Sequence, residues 1–169
     1  MRVGRFGVVA AALAVGVAAA AGEPAKSKAS LVCAPGGVDV TVALAYDTNA
    51  GGMIAGALMD VGFQAPLALP QAPQELRHRL TSLLPPASAV RPVNAEGGRL
   101  RVAVTTTEQG IQATNAFRMR FDCSAGARIE RDKLSCSTSE VVGASGQPLD
   151  EAMARDVRCQ VVALDPVKR

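Results

Sequence analysis

The chain is poor in the residues that most chemistry needs. It has no Trp, one Tyr, four Phe and a single His in 169 residues. With one histidine, His78, every His-based triad or His-rich metal site would have to be built around that residue. His78 stands between Arg77 and Arg79, whose positive field disfavours a protonated ring, so it reads as a surface residue rather than a base. No serine occurs in G-x-S-x-G, and no convincing S-x-x-K is present. No C-x-x-C occurs, which speaks against zinc at the cysteines. Asp60, Glu75, Glu96, Glu108 and Asp122 could in principle pair as glycosidase carboxylates. Any small domain offers such pairs, so they single out no reaction. The shortage of aromatics also counts against sugar-stacking platforms. Tyr46, Phe63, Phe117 and Phe121 mostly fall on the apolar parity of their strands, which assigns them to the core.

Long apolar runs are missing everywhere except at the start. Arg2 and Arg5 precede an apolar stretch of small residues, Gly7 to Ala21, and Glu23 and Pro24 end it. Ala18 to Ala21 supply A-x-A cleavage choices, the layout of an export signal removed from the mature protein. The run is too short for a spanning helix, which needs about 20 apolar residues. Cys33 is separated from it by Lys26 and Lys28, which excludes a lipidated cysteine. The expected organisation is therefore a signal peptide over 1–21, a flexible leader over 22–30, one domain over 31–165 and a tail over 166–169. The expected location is extracellular or periplasmic, with no membrane span in the mature chain.

The formal charge is +3, from 18 basic and 15 acidic residues. Cleavage removes Arg2 and Arg5 and leaves 16 against 15, or +1. A near-neutral balance lacks the basic field that a nucleic-acid partner requires. The four cysteines, Cys33, Cys123, Cys136 and Cys159, are even in number and all lie in the exported part, which reads as two disulfides. Three connectivities satisfy four cysteines. Cys123 and Cys136 flank a plausible turn, so the pairing expected is Cys123 with Cys136 and Cys33 with Cys159.

The remaining chain alternates with period two. Val38 to Tyr46 places Val38, Val40, Val42 and Leu44 on one side and Asp39, Thr41 and Ala43 on the other. Met53 to Phe63 reads as a strand whose second face is thinned by Gly56 and Gly62. Arg99 to Thr106 turns Leu100, Val102 and Val104 inward, and Ala116 to Cys123 does the same with Phe117, Met119 and Phe121. Lys133 to Val142 and Val157 to Leu164 complete the set, with one helical turn expected at Asp150 to Arg155. Gln74 to Leu84 fits either a helix or a strand. Pro85, Pro86 and Pro92 assign the next segment to a loop. Asp47-Thr48-Asn49 carries oxygen ligands that a calcium ion would accept, but Asx residues there serve turn geometry, and no metal or cofactor is expected. Seven to nine short strands without a βαβ rhythm predict an all-β, antiparallel sandwich.

The order of these segments resembles the cohesin-like domains of the β-sandwich carbohydrate-binding superfamily. The segments that carry the likeness are Gly37-Val38-Asp39-Val40-Thr41-Val42, Ala55-Gly56 followed by Val61-Gly62-Phe63 and Leu67-Ala68-Leu69-Pro70, Gly98 to Ala103, and Phe117 to Phe121. The phrase Phe121 to Gly126 is similar to cysteine-bearing bacterial variants. The resemblance covers most of residues 32–164. It implies a jelly-roll sandwich and a non-catalytic binding role, toward a dockerin-type partner module or in surface adhesion. No dockerin-like calcium repeat is present in this chain, so that partner would be another protein.

An outward stripe of Arg99, Arg101, Arg118 and Arg120 is the candidate binding face, suited to a protein or an acidic polymer such as a polysaccharide. Two alternatives stand beside it. A secreted hydrolase or inhibitor would show polar residues converging in a cleft. A structural subunit of a surface assembly would show an unpaired apolar edge strand.

Overall fold

The computed structural model describes residues 30–46, 54–107, 110–111, 114–149 and 151–167. The export signal, nearly all of the leader and the Asp47-Thr48-Asn49 turn lie outside these residues. Ten strands occur among them: β1 (Ser30–Val32), β2 (Val38–Ala45), β3 (Ile54–Phe63), β4 (Leu80–Ser82), β5 (Ser88–Glu96), β6 (Arg99–Thr106), β7 (Thr114–Phe121), β8 (Arg128–Glu130), β9 (Leu134–Gly143) and β10 (Arg158–Pro166). Two short helices, α1 (Pro73–Arg79) and α2 (Glu151–Asp156), interrupt them. All strand pairings are antiparallel. Sheet I has the order β10-β2-β7-β4, sheet II the order β5-β6-β3-β9, and β1 and β8 form a separate ribbon.

The alternation noted in the sequence places the core between the two sheets. Sheet I contributes Val38, Val40, Val42, Phe117, Met119 and Phe121, all fully buried. Sheet II contributes Met59, Val61, Leu100, Val102 and Val104, buried to the same degree. The two layers meet where Phe63 of β3 touches Phe121 of β7 edge to face, with ring centroids 5.2 Å apart and planes at 68°. The aromatics are spent on this interior: Phe117 and Phe121 are buried, Phe63 packs on them, and the half-buried Tyr46 donates its hydroxyl to the Ile111 carbonyl at 2.7 Å. The expected all-β antiparallel sandwich is the observed fold. The strand number exceeds seven to nine because β1, β4 and β8 have three residues each, too few for alternation to be visible. The domain's edges also extend slightly: Ser30 opens β1, and β10 runs to Pro166, with the Val167 amide bonded to the Gly37 carbonyl at 3.2 Å.

Gln74 to Leu84 holds both of its readings in succession. Pro73 suits the first turn of a helix, where its missing N–H costs nothing. The seven-residue α1 is too short to stand alone and is anchored by the fully buried Leu76. The chain then becomes extended at Leu80 and enters β4.

Pro92 is not in a loop. It lies within β5, the edge strand of sheet II, buried opposite Val102 and beside a register shift between Pro92 and Asn94. An edge strand at a bulge is the place in a sheet where a residue without an N–H is tolerated. The bulge leaves Val93 50% exposed.

The disulfides correct the expected pairing. They join Cys33 to Cys123 and Cys136 to Cys159. Cys123 follows the end of β7 in sheet I, whereas Cys136 sits on β9 in sheet II, and the chain between them passes through β8. That segment is a crossing, not a tight hairpin. Cys136 opposes the inward Val61 and meets Cys159 of β10, so this bridge fastens the free edge of one sheet to that of the other. Cys33 lies beside the Cys123 segment through Cys33 N–H to Ala127 O at 2.8 Å and Gly126 N–H to Cys33 O at 3.0 Å. Two disulfides place the chain in an oxidising, extracytoplasmic environment.

Candidate functional site

The outward residues of sheet II form one ordered grid. The register sets Gly56 beside Thr105 and Val142, Leu58 beside Ala103 and Glu140, Asp60 beside Arg101 and Ser137, and Gly62 beside Arg99 and Ser135. On the far side of β6, β5 adds Ala89, Arg91, Asn94 and Glu96 to the same four rows. The upper two rows make a shallow apolar hollow lined by Gly56, Leu58, Ala103, Thr105 and Val142, with Glu140 at its rim. The lower rows hold a polar hollow lined by Asn94, Glu96, Gly97, Arg99 and Arg101. Its end is shaped by the Gly97-Gly98 turn, where φ is +57° and +75°. Positive φ at both central residues is what a two-residue hairpin connection with strand-matching twist requires.

Between the two hollows lies Asp60, 7% exposed although it is on an outer face. Arg101 covers it with a two-pronged contact, Nε to Oδ1 at 2.8 Å and Nη2 to Oδ2 at 3.3 Å. The Arg101 guanidinium holds the Asp60 carboxyl below its ordinary range. Burial opposes this, and the positive charge of Arg99 adds to it. The same contact raises the pKa of Arg101. Ser139 donates to the Leu58 carbonyl at 3.2 Å, at the register shift between β3 and β9.

The four arginines of the expected stripe do not share a face. Arg99 and Arg101 lie on β6 in sheet II, and Arg118 and Arg120 on β7 in sheet I, so they point outward on opposite sides of the sandwich. Alternation says which side of its own strand a residue occupies and nothing about which sheet the strand joins. On sheet I, Arg120 is held by Asp39, Nε to Oδ1 at 3.0 Å, which raises the pKa of Arg120. Arg79 reaches Asp122 at 2.6 Å from α1. Arg118 stands exposed over the buried Thr41.

The remaining chemical candidates are scattered. His78 is exposed on α1. Asp60 and Asp122 are each engaged by an arginine, Glu75 lies on α1, Glu96 faces Arg99 on sheet II, and Glu108 is outside the described residues. Among the described residues no three His, Cys, Asp or Glu side chains are grouped closely enough to hold a metal. Leu58, Ala103 and Glu140 also build the face and were not singled out from the sequence, where Asp60 stood only among the candidate carboxylates. The available signal was the small-residue parity of β3, Gly56 and Gly62, which marks where a strand's surface is left bare.

No family model, curated protein or solved structure matches the chain. Nothing in these comparisons identifies a cohesin-like domain.

Proposed function

We propose that the chain is a secreted or periplasmic, non-catalytic binding domain that docks a protein through the outer face of sheet II. The carrying observation is the apolar hollow of Gly56, Leu58, Ala103 and Val142 set directly beside the Asp60–Arg101 pair on a rigid sheet. An apolar centre with a charged rim is the composition of a protein interface. The cohesin-like order of the motifs supports the same reading, because it implies a partner protein of the dockerin type or a surface protein. A polysaccharide is less well served, since no aromatic ring lies on this face. Exposed His78 and the dispersed acids supply no converging set for a hydrolase.

The test is a capture experiment from the source's own secreted fraction, run with the exported chain and with its Ala103→Arg variant. Ala103 lies at the centre of the face and points outward, so arginine there obstructs docking without entering the core. A protein retained by the parent and lost by the variant is the expected result. Retention that ignores Ala103 overturns the reading, and so does recovery of nothing from a chain that also fails to bind itself.

A further inference from the structure

The grid on sheet II is complementary to itself. Consider a two-fold axis parallel to the strands, in the plane of the face and midway between β3 and β6. It lays β5 of one copy over β9 of another, and β6 over β3. In the second row, Arg91 of one copy then meets Glu140 of the second, and Leu58 meets Ala103. In the row beside it, each copy's Arg101 already covers its own Asp60, so two internally neutralised pairs lie against each other. At the apolar end Thr105 is set over Gly56, and Ala89 over Val142. In the rows of Gly56 and Leu58 each large or charged group faces a small or oppositely charged one, the requirement for an isologous contact.

Two details support this match. Arg91 and Glu140 are both exposed and make no ion pair among the described residues. They stand on the outermost strands of the sheet, about 14 Å apart, with Ala103 and Leu58 between them. The lack of a side chain at Gly56 is also not demanded by its own chain: an added Cβ would meet Val104 O at 3.4 Å, Thr105 Cγ2 at 3.6 Å and Val142 Cβ at 3.8 Å, ordinary contacts. At Gly62, by contrast, a Cβ would overlap Ser135 Oγ at 2.4 Å.

From this geometry we infer that the protein docked by sheet II is a second copy of the chain, in a face-to-face two-fold dimer. The inference rests on the proposed use of this face and names its occupant. Stacked sheets keep their strands within about 30° of each other, so the central rows stay matched despite twist. Four strands by four rows cover roughly 450 Å² in plan on each copy, about 900 Å² in total, the low end of specific interfaces. An interface of this size belongs with weak, transient contacts.

Sedimentation velocity of the exported chain from low micromolar to about 500 μM decides the matter. The expected result is a monomer–dimer equilibrium that Ala103→Arg abolishes. Arg91→Glu and Glu140→Arg should each weaken it about tenfold through like-charge contacts, and the double variant should regain most of the loss. Circular dichroism of each variant checks that it is folded. Monomer at every concentration overturns the inference, and so does a dimer indifferent to Ala103 or a double variant no better than the singles. If self-association is absent while capture of another secreted protein still depends on Ala103, the second copy is the wrong occupant and the docking face stands. If both are absent, the face itself has been misassigned.

Discussion

The two outer faces of the sandwich are built from the same kinds of residue and are organised differently. On sheet I and its flank two arginines are matched within the chain, Arg120 on Asp39 and Arg79 on Asp122, and Arg118 stands exposed. Thr41 and Ala43 are buried beneath neighbouring side chains, so little apolar surface is presented. On sheet II Arg101 and Asp60 are matched, Glu96 faces Arg99, and Arg91 and Glu140 stand without an ion pair among the described residues on the two outer strands beside the apolar hollow. A solvated face satisfies its own groups. A docking face leaves matched opposites too far apart to reach one another.

That contrast can be broken from below, at its seam, or on either surface. The largest effect is expected from Phe121→Ala, which empties the contact with Phe63 under both faces. It should cost about 3–5 kcal/mol in denaturant unfolding, lowering both faces' integrity together. Next comes the seam. Replacing Cys136 and Cys159 with serine releases β9 of sheet II from β10 of sheet I. Loop entropy for this sequence separation gives a loss of about 3 kcal/mol, read as a lower thermal midpoint.

Smaller effects separate the faces themselves. Asp60→Asn keeps the shape but removes the charge under Arg101, and should cost about 1–2 kcal/mol. Asp39→Asn on sheet I, whose arginine is half exposed, should cost less than about 1 kcal/mol. The two also differ with acid. Asp60 has a depressed pKa in the folded chain, so its contribution is complete above the unfolded carboxylate value, about 3.9. It disappears as pH falls through the lower folded value. Acid titration of stability should therefore be flatter below about pH 4 in Asp60→Asn than in the parent. A variant that titrates like the parent would show that Arg101 does not hold this carboxylate. The smallest change is expected from Arg118→Ala. It should stay within about 0.5 kcal/mol and leave self-association untouched, because Arg118 belongs to the other face.

Much of this architecture is legible from residue order. Val38 to Leu44, Leu100 to Val104 and Phe117 to Phe121 alternate, and all bury the expected parity. What alternation omits is which strands are neighbours. The disulfide pairing and the arginine stripe both depended on that: Cys123 and Cys136 are near in sequence but in different layers, and so are the two arginine pairs near in spacing and opposite in direction. Pro92 misled for another reason. A proline forbids the middle of a sheet and is compatible with its rim, and only the tertiary position of β5 distinguishes the two. The docking face was faintly visible in Gly56 and Gly62. Its completion by Ala103 from β6, Glu140 from β9 and Arg91 from β5 required the register.

The placement of the two bridges has a mechanical consequence. Cys33 is tied to Cys123, and Cys136 to Cys159, so tension applied to the two ends of the domain bypasses most of its strands. Between the clasps only the segment from Cys123 to Cys136 can lengthen, to about 45 Å at full extension. Without the bridges the same stretch of chain would unravel to roughly 430 Å. A load across the molecule would straighten β8 and its flanks while leaving sheet I and sheet II covalently gathered, so a contact made on sheet II is shielded from complete unspooling under flow or shear.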